Sequence, residues 1–446
     1  MSTNSLKRVY LILFVCLQGL SFVEAQESVD ADLRVQSLEE AWEYAHKHNP
    51  TLQQYRLQQK KATVDFHAAK AAKRPQISGS FSLQNNTSLA VTPLPGEIFG
   101  QPGETVDAQF GQQYTYNAGI NISKNLINRQ QHLQTKMTGQ NVLLRSQQTK
   151  VYEQSLKEQV AMYYYTALVA QKGLEISQRD LTIANSITKL SQEKLEQGTI
   201  DQLAMNQARI NENNVKQNLI QYESLWDQCH QELSKLWGVE PGRELTFSES
   251  ISSQLPEVQI YSELVPDASL QLNEAELAQA EMGVKAEKAA YLPTLTLNTY
   301  YGKQQFRDNF GLATESGSWT DYSYINLTLN VPIFTGFGTK NKVKSAQIEY
   351  DIAYKELENA KRTTEVDDAF LIEEYRRSWA QLSAVHESYQ LFKENADLTH
   401  QKYEEGLVSL DASLRSFEDY LQAENNYLNS LSNYFSYHAS VISRNP

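Results

Sequence analysis

The chain has 446 residues, and its 53 Asp and Glu outnumber its 40 Lys and Arg, for a formal net charge of −13. This acidity argues against a nucleic-acid-binding protein and against a surface that holds membranes through clustered basic residues. Beyond the first residues, no apolar run approaches the length of a spanning helix. A protein of this kind that enters a membrane must therefore do so as β-strands.

Residues 1–25 have the features of a secretory signal peptide. A charged start and an apolar stretch precede a small-residue cleavage site that ends at Ala25. A short anchor helix is the alternative, but crossing a membrane takes roughly 20 apolar residues. Cleavage removes Cys16 and leaves Cys229 alone, so no intrachain disulfide is expected.

The rest of the chain repeats itself. Residues 194–201 are echoed by 402–411, and residues 72–77 by 290–295. Each copy reads helix, proline, strand, loop, strand, very long helix, glycine turn and long helix, which indicates that about half of the mature protein is duplicated. The predicted first structural repeat, linker and second structural repeat are residues 26–240, 241–267 and 268–446.

Four segments alternate between apolar and polar residues, as strands with two different faces do. They are residues 77–86, 114–123, 294–302 and 323–331. Their length suits an outer-membrane crossing, their polar positions are uncharged, and tyrosines lie at their ends. Four strands cannot close a barrel, and lipid does not tolerate an open sheet edge. Several chains must therefore share one barrel, and three copies would supply twelve strands.

The longest helices are predicted where proline is absent, over residues 103–240 and 333–445. We expect long helical hairpins at 125–237 and 338–443, each turning at a glycine. Apolar residues recur in heptads along them, often as two adjacent stripes, so each helix packs against two neighbours in an array of coiled coils. The seam of the last helix is broken only by Glu424.

The sequence predicts no catalytic, cofactor-binding or metal site. It has no phosphate-binding loop, no Gly-x-Ser-x-Gly, no His-Glu-x-x-His and no paired-cysteine motif. Cys229 falls in a heptad seam, where a small core residue is a simpler interpretation than a reactive thiol. We therefore expect a protein that is not an enzyme.

Two acidic residues, Asp201 and Asp411, lie just beyond the glycine turns. Either each carboxylate complements the positive end of a helix, or, in a trimer, each recurs three times around one axis and forms a charged ring at a constriction. Glu418 either continues this acidic face inward or faces solvent. The residues alone leave these alternatives open.

Three segments carry a resemblance to a known family. They are Asn-Val-Pro-Ile-Phe-Thr-Gly-Phe-Gly at 330–338, Tyr-Leu-Pro-Thr-Leu at 291–295, and Tyr403-x-x-Gly-Leu-Val. Together with the duplication and the element order, over residues 36–440, they resemble the TolC-like outer membrane efflux protein family.

The resemblance implies a homotrimer in the outer membrane of a Gram-negative bacterium. In such a trimer, duplicated antiparallel coiled-coil helices form an α-barrel in the periplasm, and four strands per chain contribute to a shared twelve-stranded β-barrel. It implies a passive duct of a tripartite efflux or type I secretion system. The implied partners are a periplasmic adaptor (membrane fusion protein), an inner-membrane transporter of RND or ABC type, and outer-membrane lipid, with no nucleic acid.

The resemblance also assigns roles to residues at the turns. The residues on the adaptor-facing helix turns are Gly198, Thr199, Gly406, Leu407 and Val408. Those near the periplasmic gate are Tyr403, Asp411 and Asp201. Some members carry a second acid three residues after the gate aspartate, where this chain has Leu414. Polar contacts near the turns would hold the helical ends together at rest, and adaptor docking would loosen them.

The alternative class is a soluble periplasmic coiled-coil adaptor or scaffold protein. It accounts for the long helices and for the signal. It does not account for four alternating strands with tyrosines at their ends. The transported substrate, the pump and the adaptor stay open at this level.

Overall fold

The computed structural model describes residues 33–100, 102–240, 245–252, 255, 261–311 and 319–445. The predicted signal at 1–25 lies outside them. The helices of the described residues are α1 (Leu38–His48), α2 (Pro50–Ala71), α3 (Arg129–Glu196), α4 (Gln202–Trp237), α5 (Ala268–Lys288), α6 (Gly338–Glu404) and α7 (Leu410–Arg444). The strands are β1 (Leu33–Val35), β2 (Gln76–Asn85), β3 (Val91–Pro95), β4 (Thr105–Gln109), β5 (Tyr114–Ile127), β6 (Leu245–Phe247), β7 (Thr294–Arg307) and β8 (Thr320–Asn330).

The four alternating segments form one antiparallel sheet in the order β2-β5-β7-β8. The inner strands β5 and β7 have 14 residues each and continue beyond the predicted ends at 123 and 302, because they stay paired with each other there. The outer strands β2 and β8 each have a strand neighbour on one side only within the described chain.

The register gives this sheet one apolar and one polar face, because directly paired residues point to the same side. Ile77 pairs with Ile122, and Leu297 pairs with Leu327, on the apolar face. That face is open: Ile325 is 77% exposed. On the polar face, Asn121 Nδ2 donates to Ser80 Oγ at 2.8 Å. No helix among the described residues has both the length and the apolar character to cross a membrane.

Two smaller sheets were not predicted. Strands β3 and β4 form an antiparallel hairpin within the loop expected at 87–113. Strand β6 lies inside the expected linker 241–267 and pairs in parallel with β1 at the start of the first repeat. The linker therefore contributes structure to the first repeat instead of only joining the two. Three-residue strands carry too little alternation to be recognised from sequence.

The two longest helices, α3 and α6, have 68 and 67 residues. At about 1.5 Å per residue, each is roughly 100 Å long. Helix α3 begins at Arg129 instead of at 125, because β5 continues to Ile127 and Asn128 then accepts the Gln131 N–H at 2.9 Å as the helix N-cap.

The helices pack as neighbouring antiparallel pairs around two large apolar clusters, and a third, small one joins Leu133 to Ala286 and Ala289. The larger cluster runs along α3, α4, α6 and α7, and includes Tyr403, Leu414 and Leu428. The smaller of the two large clusters joins α1, α3, α4, β1 and β6 around Trp237. Helix α3 contacts α4, α2, α5 and α7, and α6 contacts α5 and α7. Among the described residues, every helix except α2 contacts at least two other helices, which agrees with the two apolar stripes seen in the sequence.

Cys229 lies in the smaller cluster and is 1% exposed. Burial raises the pKa of its thiol to about 11, so almost no thiolate exists at pH 8. We expect N-ethylmaleimide to leave Cys229 unlabelled in the native protein and to label it fully in denaturant, as measured by mass spectrometry. A cysteine placed at the exposed Thr199 serves as the positive control. Rapid native labelling of Cys229 would contradict its burial.

Candidate functional site

The two hairpins turn in the same way at their tips. Gly198 and Gly406 follow the last helical residues of α3 and α6 with φ of +69° and +74°, in the left-handed region that glycine adopts without strain. The Thr199 N–H donates to the Lys194 carbonyl at 2.9 Å, and the Leu407 N–H donates to the Lys402 carbonyl at 2.8 Å. Both tips are thus Schellman motifs, which satisfy the last carbonyls of the helix.

The two acids of the tips have different structural positions. Asp201 is the N-cap of α4 and accepts the Ala204 N–H at 2.9 Å. The equivalent cap of α7 is Ser409, and Asp411 lies in the first turn of that helix, in an ion pair with Arg415 at 3.2 Å. For Asp201, this geometry matches the helix-end interpretation. The Asp411 side chain is 68% exposed and carries its charge into solvent.

The structure nevertheless brings these acids together. Asp201, Asp411 and Glu418 line one cleft of about 490 Å³ between α4 and α7, with Arg415 on its wall. Three carboxylates against one guanidinium make the cleft acidic. Glu418 both lines this cleft and is exposed to solvent, so its position agrees with either interpretation of it.

Tyr403 lies apart from the cleft. It is 1% exposed, and Lys194 Nζ lies 3.8 Å from the centre of its ring. This cation–π contact links the end of α3 to the end of α6. The Tyr403 hydroxyl is buried and has no hydrogen-bond partner among the described residues. Sequence reasoning missed Lys194, because nothing in its heptad position distinguishes it from other helix-terminal lysines.

The five predicted adaptor-facing residues divide into two groups. Gly198, Thr199, Gly406 and Leu407 are exposed, with Leu407 at 70%. Val408 is half-buried and packs against the larger apolar cluster. Four of the five are thus available to another molecule, and Val408 supports the turn from inside.

A buried polar cluster lies deeper between α3 and α7, and sequence reasoning recognised only one of its members. Glu424, the single break in the heptad seam, is 1% exposed, and so is Asp180 of α3. The Tyr420 hydroxyl donates to the Asp180 carboxylate, with oxygen separations of 3.0 and 3.1 Å. Arg179 contacts both Asp180, at 3.0 Å, and the Tyr420 hydroxyl.

The charge state of this cluster follows from its burial. Desolvation, and then the neighbouring Asp180, raise the pKa of Glu424 to about 9. Glu424 is therefore protonated at neutral pH, whereas Asp180 has Arg179 as its counter-ion. The cluster holds one ion pair and one neutral carboxyl group, which together link the two hairpins.

An exposed apolar sheet face joined to helices roughly 100 Å long is the architecture of an outer-membrane channel with a periplasmic helical part. The family model described as outer membrane efflux protein matches residues 42–239 and 260–438. The chain belongs to this family, whose members are the outer-membrane components of tripartite efflux systems.

Individual proteins similar to this chain support the family assignment. The chain is 23% identical over 316 residues to the outer membrane protein TolC of Vibrio cholerae serotype O1, which covers 68% of this chain and 71% of that protein. The outer-membrane channel CmeC of Campylobacter jejuni has the same fold, with a TM-score of 0.74 at 17% identity over 91% of this chain and 85% of CmeC. The outer membrane protein VceC of Vibrio cholerae gives a TM-score of 0.72 at 17% identity, over 91% of this chain and 95% of VceC. These matches disfavour the soluble adaptor or scaffold.

Proposed function

We propose that three copies of this chain form a passive duct with a shared twelve-stranded barrel in the outer membrane. The main support for this proposal is the arrangement of the four-stranded sheet. Its outer strands β2 and β8 each have one free edge, and its apolar face is exposed. Unpaired backbone groups are not tolerated in lipid, so β8 of one copy would pair with β2 of the next until the barrel closes.

We also propose that the tips receive a periplasmic adaptor, which connects the duct to an inner-membrane transporter of RND or ABC type. The exposed turn residues Gly198, Thr199, Gly406 and Leu407 support this placement. The energy for export comes from the transporter in this scheme, and the duct supplies only the passage.

The entrance would be controlled at the same tips. The Lys194–Tyr403 contact would hold the ends of α3 and α6 together. Docking of the adaptor would break such contacts and let the coiled coils move apart. In the trimer, Asp411 and Asp201 would each recur three times around the entrance and favour cations there.

The mass of the detergent-extracted particle tests the assembly. Light scattering of protein taken from the outer-membrane fraction should give three mature chains. Protein released without detergent, as a monomer or a dimer, would contradict the shared barrel.

Single-channel recording in planar bilayers tests the entrance. Asp411→Ala should shift the reversal potential in a KCl gradient toward that of a less cation-selective pore, most strongly at low salt. Within the described part of the chain, the side chain of Asp411 contacts only Arg415 of the same helix, so the fold should lose no more than about 0.5 kcal/mol. Lys194→Met should raise the conductance, because it removes the contact to Tyr403.

The matched control is Asp65→Ala. Asp65 also forms an i,i+4 ion pair, with Lys61, but it lies on α2, far along the chain from the tips. Its removal should leave selectivity and conductance unchanged. Equal currents from wild type, Asp411→Ala and Lys194→Met would contradict the proposal that the entrance is controlled at the tips.

A further inference from the structure

Acidic residues are missing wherever the chain passes between helix and sheet. No Asp or Glu occurs in residues 66–96, 108–152, 288–307 or 322–348, although acids are in excess over the whole chain. These four passages contain β2, β5, β7 and all of β8 after Asp321, together with the helix ends that adjoin them. The net charge of −13 conceals this segregation.

Twelve Lys and Arg lie on the helix side of the sheet in these passages. Arg145 and Lys150 lie farther along α3, and we call the other ten the basic collar. They are Lys70, Lys73, Arg74, Lys124, Arg129, Lys136, Lys288, Lys340, Lys342 and Lys344. The end of α2 and the two residues that precede Pro75, the last residue of α5, the first eight residues of α3 and of α6, and the helix-side end of β5 carry them. All are exposed except Lys73, which is half-buried.

Helix stability explains only part of the collar. Lys70 and Lys288 lie in the last turns of α2 and α5, where a cation is favourable, but the cations at the helix starts have no such explanation. Arg129 is the first residue of α3, and Lys340, Lys342 and Lys344 lie in the first two turns of α6. The N-terminal end of a helix carries a partial positive charge, so cations there are unfavourable. An anion outside these helices would offset that repulsion.

Nor do nearby acids neutralise the collar. Within the described residues, the nearby acids Asp65 and Glu281 pair with Lys61 and Lys285. Glu287 is next to Lys288 in the chain, but the ten collar cations form no ion pair among the described residues. The pKa of His132 reflects the positive electrostatic potential of these cations. Lys73 Nζ lies 3.3 Å from its Nδ1, and Lys73 above all, then burial and the other cations nearby, lower the pKa of His132.

The collar lies where the apolar face of the sheet ends. Lys124 is paired with Leu297, so it is on the apolar face at the helix-side end of β5. The next residues, Leu126 and Ile127, are exposed apolar side chains. They line a cleft of about 360 Å³ together with Lys73, Arg129 and His132. Cations directly beside exposed apolar groups match the boundary between lipid headgroups and acyl chains.

We propose that the basic collar binds the headgroup phosphates of anionic phospholipids in the leaflet that faces the helices. This proposal rests on the proposed barrel, because only a sheet that crosses the membrane brings the collar to that leaflet. The acyl chains would lie on the apolar face beside Leu297, and the phosphates would meet Lys124, Lys73 and Arg129. Each phosphate would also relieve the repulsion among the collar cations.

The test is native mass spectrometry of the full-length protein from outer membranes, with phosphatidylglycerol or phosphatidylethanolamine added. The collar variant replaces Lys124, Lys340 and Lys344 with glutamine. The control variant replaces Lys47, Lys189 and Lys361, three exposed lysines on the helices away from the sheet. Both variants lose the same charge.

Wild type and control should bind phosphatidylglycerol in preference to phosphatidylethanolamine, and the collar variant should lose roughly tenfold or more of that binding. Equal binding of the two lipids, or unchanged phosphatidylglycerol binding in the collar variant, would overturn the proposal. So would full displacement by inorganic phosphate, which would show a simple anion site. A particle of three chains that shows no lipid preference would contradict only the lipid-binding proposal. A monomer would contradict the shared barrel as well.

Discussion

Gly302→Ala is expected to prevent accumulation of folded protein in the outer membrane. Gly302 of β7 pairs directly with Gly119 of β5. A methyl group at Gly302 would lie 2.5 Å from the Ala118 carbonyl oxygen and 2.7 Å from the Gly119 Cα. These are backbone atoms in the centre of the sheet, so they cannot move without opening the β5–β7 ladder. We expect a loss of about 3 kcal/mol or more, at the upper end of overpacking effects.

The same pair of glycines makes room for a tyrosine. A Cβ on Gly119 would lie 2.7 Å from the Tyr300 hydroxyl and ring. The Tyr300 ring therefore lies over the Gly119 backbone, and it stacks on Tyr324 with 5.8 Å between ring centres. Gly119→Ala should consequently share the defect of Gly302→Ala, because its Cβ would also lie 2.7 Å from the Tyr301 carbonyl oxygen, a backbone atom.

The measurement is the amount of detergent-extractable protein in the outer-membrane fraction and its melting temperature. Gly79→Ala is the matched control, since Gly79 also lies in the sheet but an added Cβ there meets no atom within 4 Å. Gly79→Ala should behave as wild type. Normal amounts of Gly302→Ala with an unchanged melting temperature would show that β5 and β7 are not packed as described.

Glu424→Gln is expected to stabilise the protein at pH 8. The pKa of Glu424 is raised to about 9 in the fold, from an ordinary value of 4.5. The folded state then binds a proton that the unfolded state releases. Its contribution to stability is complete below pH 4.5 and is lost as the pH rises toward 9. Glutamine keeps the size and a hydrogen-bond donor for Asp180 but has no proton to lose.

The gain at pH 8 should be about 1–3 kcal/mol, as for other buried ionisable groups replaced by neutral ones of similar shape. Melting temperatures in detergent between pH 5 and pH 9 provide the measurement, and the difference between variant and wild type should grow with pH. Tyr222 of α4 and Tyr389 of α6 also face the cluster, and burial raises the pKa of both. Neither adds a charge in this pH range.

Glu418→Gln is the control on the same helix, because Glu418 is exposed and should show no such pH dependence. A Glu424→Gln protein that melts below wild type at pH 8 would mean that Glu424 is ionised in the fold. In that case Arg179 would serve two carboxylates instead of one.

The long elements were predictable because their signals are repeated many times. A helix of 68 residues presents its apolar stripe over many turns, and the alternation of the four long strands extends over most of their length. The short elements were not predictable. The β1–β6 pair joins residues 33–35 to 245–247, and no local pattern indicates such a distant partner.

For the candidate site, the sequence predicted where the helical hairpins turn, but it did not predict which side chains contact one another. Gly198 and Gly406 mark the tips, because few residues other than glycine adopt the left-handed conformation there. The contact of Lys194 with Tyr403 depends on how two hairpins pack, which neither hairpin encodes alone. Glu424 was visible as a break in the heptad, but its partner Asp180 was not, because a polar residue on α3 is unremarkable until α7 covers it.

The caps of α4 and α7 also bear on how the two halves can diverge. Asp201 and Ser409 cap equivalent helix ends, one with a charge and one without. Aspartate and serine are nearly equal in capping strength. Mutation can therefore exchange them, and alter the charge at the tip, while the hairpin keeps its shape. After a gene duplication, selection could adjust the ionic character of each half independently, and descendants could serve different cargo on one backbone.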